Sequence, residues 1–206
     1  MSRNRSEKVK RRFLSLGLAA WTLCVLLGGC GVMKGQQEAS SASTQEVDSV
    51  ETLLTIDDPE EKAAVEAAKA KVAAMGEDPR IIATSPATAD ICDRLDLDLA
   101  GVCSSTISSL PERYEDLTQV GTAMSPDMEI ISSLDPDWIL SPVTLQSDLQ
   151  PKYEAIDTDW AFLNLRSVPG MYRSIQELGE IFQREEEAQA LVDEFTEFYN
   201  GYKDQN

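Results

Sequence analysis

The sequence predicts an α/β fold, a short-stranded parallel sheet flanked by helices that runs out into a long terminal helix. Three observations predict it. Between Arg80 and Leu165, short apolar runs alternate with segments of helical period, the pattern of parallel strands joined by crossover helices. Twice, at Ser85-Pro86 and Ser125-Pro126, a helix-starting pair directly follows a strand. From Met171 the apolar residues step by 4, 3 and 4 through Ile175, Leu178 and Phe182, and no strand-like run follows.

Taken in order, residues 1–29 read as a targeting segment. Arg3, Arg5, Lys8, Lys10, Arg11 and Arg12 stand against Glu7, and Phe13 to Leu27 is an apolar run of 15 residues. That run is short for a membrane span and right for a secretion signal; the context of Arg11-Arg12 fits plain secretion better than a twin-arginine signal. It ends Leu27-Gly28-Gly29-Cys30, which resembles the bacterial lipobox. The resemblance implies cleavage before Cys30, a diacylglycerol on its sulfur, and a place on the extracellular face of the cell membrane. Acyl chains at one terminus anchor firmly, at about 0.8 kcal/mol per buried CH2. Residues 30–57, rich in Ser, Gln, Glu, Ala and Thr, read as a flexible tether.

Asp58-Pro59-Glu60-Glu61 then starts an extra helix over residues 58–76, with Val65, Ala68, Val72 and Met75 on a narrow face and Gly76 at its end. Such a face suits weak docking or a stalk. In the body, residues 80–166, Arg80–Thr84 is a strand. Ser85-Pro86 opens a helix with Ala87, Ile91 and Leu95 inward. Leu97 to Val102 is the next strand, and Ser104 to Tyr114 a loop. Strand-like Trp138 to Ser141, helical Leu145 to Ile156 and strand-like Trp160 to Leu165 complete the body. Residues 167–206 are helical, with a break at Gln183-Arg184.

Composition excludes several functions. The net charge is −18, the first 29 residues carry +5, and the remainder therefore carries −23. So acidic a body repels nucleic acid. The chain has no histidine, which removes His-based triads and the commonest metal ligand. No nucleophile–base pair, glycine-rich phosphate loop or metal cluster stands out, so the chain reads as a binding protein rather than an enzyme. Cys24 leaves with the signal; Cys92 and Cys103 remain, as a disulfide or as two small buried thiols.

The stretch richest in information is Gly121-Thr-Ala-Met-Ser-Pro-Asp-Met-Glu129, running on to Asp135-Pro136. Ser125 reads as the cap and Pro126 as the first residue of a helix whose inward face is Met128, Ile131 and Leu134. Met124 stands just before that cap, on a loop, outside the apolar stripe. In open α/β sheets helix N-termini gather at the carboxyl ends of the strands, where ligands bind, and two proline-started helices there would offer N–H groups to carboxylates. A Ser-Pro pair is also an ordinary way to begin a helix.

Arg80-Ile-Ile-Ala-Thr-Ser-Pro-Ala-Thr-Ala-Asp-Ile-Cys92, Leu110-Pro-Glu-Arg-Tyr-Glu-Asp116, Val120-Gly-Thr-Ala-Met-Ser-Pro-Asp-Met-Glu129, Leu134-Asp-Pro-Asp137 and Ser167-Val-Pro-Gly-Met-Tyr-Arg-Ser-Ile-Gln-Glu-Leu-Gly179 together resemble the haem-binding lipoproteins of the iron-regulated surface determinant uptake system. These are periplasmic-binding-protein-like components of ABC importers. The family fold is two α/β lobes joined by a long backbone helix. The resemblance implies that residues 80–166 are the N-terminal lobe and 167–206 the start of that helix, the second lobe being absent, as in a truncated product or a partial sequence.

The resemblance also implies haem as transported ligand, with Met124 as one axial iron ligand. The family's second ligand, a histidine of the other lobe, has no counterpart here. It places the haem propionates on the helix start at Ser85, Ala87 and Thr88 and on the loop at Ser105 and Thr106. It gives Glu129 a role in docking to an ABC permease with its ATPase, and cell-surface haem donors as further partners. Cys103 and Tyr114 are lesser candidates for an iron ligand. Two other readings stay open: a receptor for an iron–siderophore or cobalamin, and a non-functional truncated fragment whose terminal helix pairs with another chain. The lipobox is open to test. Made with its full N-terminus in a secreting bacterium, the protein should enter the detergent phase on phase separation, and Cys30→Ser should leave it in the aqueous phase; a Cys30→Ser protein still in detergent would assign anchoring to the apolar run itself.

Overall fold

A computed structural model describes residues 49–156 and 158–203. The signal segment, Cys30 and most of the expected tether lie outside those residues. Four parallel strands form the sheet: β1 (Ile81–Ala83), β2 (Leu99–Val102), β5 (Trp138–Pro142) and β6 (Asp159–Leu163), in the order β2-β1-β5-β6. A small antiparallel pair, β3 (Gly121–Thr122) and β4 (Ser125–Pro126), stands beside it. Ile82 lies opposite Ile139 and Trp138 opposite Asp159.

Strand alternation sends side chains to two cores. Ile82 and Ile139 join Ile131 of α4 (Met128–Ser133) and Leu149 and Tyr153 of α5 (Gln146–Glu154) on one face. Ile81, Ala83, Trp138 and Leu140 face the other, larger cluster, with α3 (Pro86–Arg94), α6 (Val168–Phe182) and α7 (Glu185–Lys203). The parallel sheet covered on both faces is as the sequence predicts. The inward face of α3 is turned from expectation: Ala87 is exposed, while Thr88, Ala89, Ile91 and Cys92 are buried. Ala89, Ile91 and Cys92 join the main core, so that is the face α3 turns inward.

Helix α6 is the pillar. Trp138 meets Phe182 edge-on, with ring centroids 5.6 Å apart, and Tyr172 stacks on Phe195 of α7 at 4.4 Å. Gln183, in the left-handed region at φ 59°, ends α6, and the Arg184 amide donates back to the Gly179 carbonyl at 2.8 Å. At that corner a Cβ on Gly179 would sit 2.6 Å from the Ala188 Cβ, so only glycine lets α7 fold back so closely. Toward its end α7 presents Phe198, 74% exposed.

Two expectations near the N-terminus give way. The tether does not run to residue 57: α1 (Val50–Leu54), capped by Ser49, buries Val50 and Leu54 in the main core. Composition suggests a tether because the polar residues outnumber these two anchors. Nor is the next helix, α2 (Pro59–Ala73), a stalk. Its narrow face suffices, because Val65 and Val72 are buried beside α6 and Lys69 pairs with Glu185 at 2.9 Å. A Lys71–Asp159 pair adds a second tie, to the start of β6.

The α2–α6 contact also holds two carboxyl groups together. Burial chiefly, then the Glu61 side chain and the charge of Glu180, push the Glu177 carboxyl up from 4.5 to about 8, against the pull of Arg173. Between those two values the folded chain keeps a proton that the unfolded chain has released, so stability falls as pH rises through that window. Glu177→Gln should therefore raise the thermal midpoint at pH 8.5, and the gain should shrink toward pH 4.5. A gain equal at both pH values would mean that the proton on Glu177 plays no part.

Candidate ligand-binding site

The carboxyl ends of the strands form a rim, and its geometry begins beside β2. The segment from Thr118 to Val120 runs alongside β2, with Val102 donating to the Thr118 carbonyl at 3.1 Å and Val120 donating to the Val102 carbonyl at 2.9 Å. Just past the sheet edge the Ser104 amide donates to the Gly121 carbonyl at 2.8 Å. There the chain reverses. Gly121 sits at φ 91°, and a Cβ on it would lie 2.8 Å from the Ser125 carbonyl oxygen, so glycine is required. Thr122 pairs with Ser125 across a two-residue turn of Ala123 and Met124, and the Asp127 amide closes the hairpin on the Val120 carbonyl at 2.7 Å. Met124 is 80% exposed at the tip.

This hairpin corrects the sequence reading of the same residues. Ser125 does not cap a helix and Pro126 does not begin one. Asp127 is the cap, its Oδ1 accepting from the amides of Glu129 at 3.0 Å and Ile130 at 3.1 Å. A carboxylate two residues on competes with the serine hydroxyl for the role, and the pairing of Pro126 with Gly121 decides it. Helix α4 is therefore short, and the second of the two expected proline-started helices is absent. Glu129 stays where expected, exposed in the first turn of α4.

The other Ser-Pro pair behaves as expected. Ser85, at the carboxyl end of β1, caps α3 with its Oγ accepting from the Thr88 amide at 3.1 Å, and it shares a hydrogen bond with the Thr88 hydroxyl at 2.7 Å. Thr88 is wholly buried, so neither its amide nor its hydroxyl faces a ligand. That narrows the expected anion contacts to Ala87, exposed, whose amide neither the cap nor the helix uses. On the loop after β2, the Ser105 Oγ accepts from the amides of Ile107 at 3.3 Å and Ser108 at 3.1 Å, which leaves its O–H free to donate elsewhere. Thr106 is exposed beside it.

Behind the rim lies a network that no local pattern in the sequence announces. The Thr84 and Ser141 hydroxyls meet at 2.6 Å, and the Ser141 hydroxyl meets the Tyr153 hydroxyl at 2.8 Å, all three residues being wholly buried. Burial raises the Tyr153 pKa, so the phenol stays protonated and the chain of hydroxyls intact. It locks the ends of β1 and β5 and the underside of α5. The only outward sign is a Thr and a Ser ending otherwise apolar strands. The helix expected from residue 167 begins there as α6, and the Ser167 Oγ accepts from the Gly170 amide at 3.1 Å at the carboxyl end of β6, a cap the sequence reading did not single out. A Cβ on Gly170 would meet Asn164 at 2.7 Å, which fixes how close that helix start sits to the rim.

The lesser ligand candidates cannot reach iron. Tyr114 is 1% exposed and donates to the Leu97 carbonyl, and burial raises its pKa. Cys103 is buried at the end of β2, and Cys92 is buried on α3. Both are free thiols, with burial pushing Cys92 up to about 12 and Cys103 up to about 11, so neither offers a thiolate at neutral pH. Among the described residues no cluster of His, Cys, Asp or Glu could hold a bare metal ion. A cavity of about 770 Å³ opens between α1, α2, α6 and α7, lined by Leu54, Val65, Gln176 and Val192. None of the rim residues lines it.

Known proteins resemble this arrangement. IsdE of Staphylococcus aureus, a high-affinity heme uptake system protein, is 35% identical over 114 residues, which are 55% of this chain and 39% of that protein. A solved ABC transporter substrate-binding protein from Listeria monocytogenes EGD-e is 40% identical at a TM-score of 0.60, over 63% of this chain and 50% of that one. Staphylococcus aureus IsdE complexed with heme is 31% identical at a TM-score of 0.59, with the same coverage. The chain thus spans about half the length of the structures it matches and less of the curated relative. Residues 81–205 match the profile of the periplasmic binding protein family, and with its parallel sheet and rim of helix starts the chain belongs to that family.

Proposed function

We propose that this protein is the lipid-anchored, haem-binding component of an ABC importer, holding haem on the rim of this lobe with Met124 as an axial iron ligand. Binding without covalent chemistry is the work of this family; one solved relative is an ABC transporter substrate-binding protein, and the other is complexed with heme. The observation that carries the reading is Met124 itself. A large apolar side chain stands 80% exposed on a hairpin whose base is pinned by backbone hydrogen bonds. A methionine that filled a core gap would be buried.

The chemistry favours haem over an iron chelate. A thioether is a neutral, soft ligand that suits an open axial position of haem iron. Ferric siderophores surround iron with hard oxygen donors and leave a sulfur nothing to bind. The exposed Ala87 amide and the Ser105 hydroxyl, on the same rim, are the donors that would receive the propionates. Thr106, exposed on the same loop, completes that side. Glu129, exposed on α4, serves as the docking carboxylate for a permease. Cys30 carries the lipid.

Hemin titration of the purified chain tests this. Met124→Leu, which keeps the bulk and removes the sulfur, should weaken hemin binding at least about tenfold, a loss of about 1.4 kcal/mol. It should also move the Soret band. Unchanged affinity and an unchanged Soret band in Met124→Leu would take the iron away from this residue.

A further inference from the structure

We infer that Ile107 is a ligand-contact residue, flanking the same bound ring as Met124 and selecting for a flat, apolar ligand; the inference rests on the haem reading above. Ile107 is 96% exposed and Met124 80%, the two most exposed large hydrophobic side chains among the described residues. Single exposed apolar residues are ordinary on any surface. These two are not scattered. Their loops share a root, the 2.8 Å hydrogen bond from the Ser104 amide to the Gly121 carbonyl. Ile107 lies three residues beyond Ser104 and Met124 three residues beyond Gly121, so each Cα stands within about 11 Å of that root.

Both positions are held. The Ser105 hydroxyl accepts from the amides of Ile107 and Ser108 and folds the loop into a turn with Ile107 outward. The two-residue hairpin turn does the same for Met124. Isoleucine is stiff at its first side-chain torsion, so it presents one fixed shape rather than an adaptable one. It has no atom to offer a metal. Its contribution is apolar area against the ring, while Met124 contributes sulfur to the iron. A polar, rounded chelate would bury neither side chain well, so the pair discriminates by ligand shape as well as by metal chemistry.

Iron-free protoporphyrin separates the two roles, since it has the ring and lacks the metal. The full chain and its Ile107→Asp, Ile107→Leu and Met124→Leu variants would be titrated with hemin and with iron-free protoporphyrin. Ile107→Asp should weaken both probes by about tenfold, the scale set by burying one large apolar side chain against a ligand. Ile107→Leu should bind both as the unaltered chain does, and Met124→Leu should lose affinity for hemin alone. Ile107 is solvated, so its replacement leaves the fold intact. If Ile107→Asp binds both probes as tightly as the unaltered chain while Met124→Leu still weakens hemin, Ile107 does not touch the ring and the haem reading stands. If the unaltered chain binds neither probe saturably, the haem reading fails and the role of Ile107 falls with it.

Discussion

One backbone hydrogen bond organises the rim: the Ser104 amide to the Gly121 carbonyl, 2.8 Å long, just past the edge of the sheet. It joins the loop after β2 to the hairpin that carries Met124. Without it both segments would be ordinary surface loops, free to sample many conformations. With it, and with the Asp127 amide closing the hairpin on Val120, two exposed apolar side chains and the Ser105 turn are held at fixed places on the sheet. Pre-organisation of this kind lowers the ordering cost of binding any ligand there.

The rest of the lobe keeps that rim rigid. The hydroxyl network of Thr84, Ser141 and Tyr153 ties the ends of β1 and β5, next to the start of α3. On the opposite face α6 supports the sheet through Trp138 and Phe182, and α2 and α7 pack on α6 in turn. Glu177, held against Glu61 between α2 and α6, weakens that stack as pH rises and its proton is lost. It lies on the helical side of the molecule, so it bears on stability and not on the ligand rim.

Much of this is legible in the sequence, because periodicity and helix caps are local. The strands at Ile81 and Trp138, the cap at Ser85, the left-handed break at Gln183 and the amphipathic α6 are each written in a few neighbouring residues. What fails depends on distant partners. Ser125-Pro126 has the composition of a helix start, yet Pro126 pairs with Gly121 and the cap passes to Asp127. Residues 50–54 have the composition of a linker, yet two anchors find α6 and order the segment. Thr88 has the place of a carboxylate donor, but the cap that positions it takes its amide and buries its hydroxyl. Met124 stands out because its surrounding motif marks it. Ile107 does not, since an apolar residue in a Ser-rich loop carries no pattern and only its exposure reveals it.

The proposed thioether–iron bond can be tested directly on the unaltered protein. With the methionine methyl carbons labelled, nuclear magnetic resonance of the complex with reduced haem, made six-coordinate and diamagnetic by carbon monoxide on the face away from the sulfur, would report on each sulfur separately. A methyl fixed on the haem axis sits in the strongest part of the ring current. One methyl resonance, assigned to Met124 by its disappearance in Met124→Leu, should move far upfield on binding. Methionine methyl resonances that all keep their ligand-free positions in the saturated complex would show that Met124 does not touch the iron.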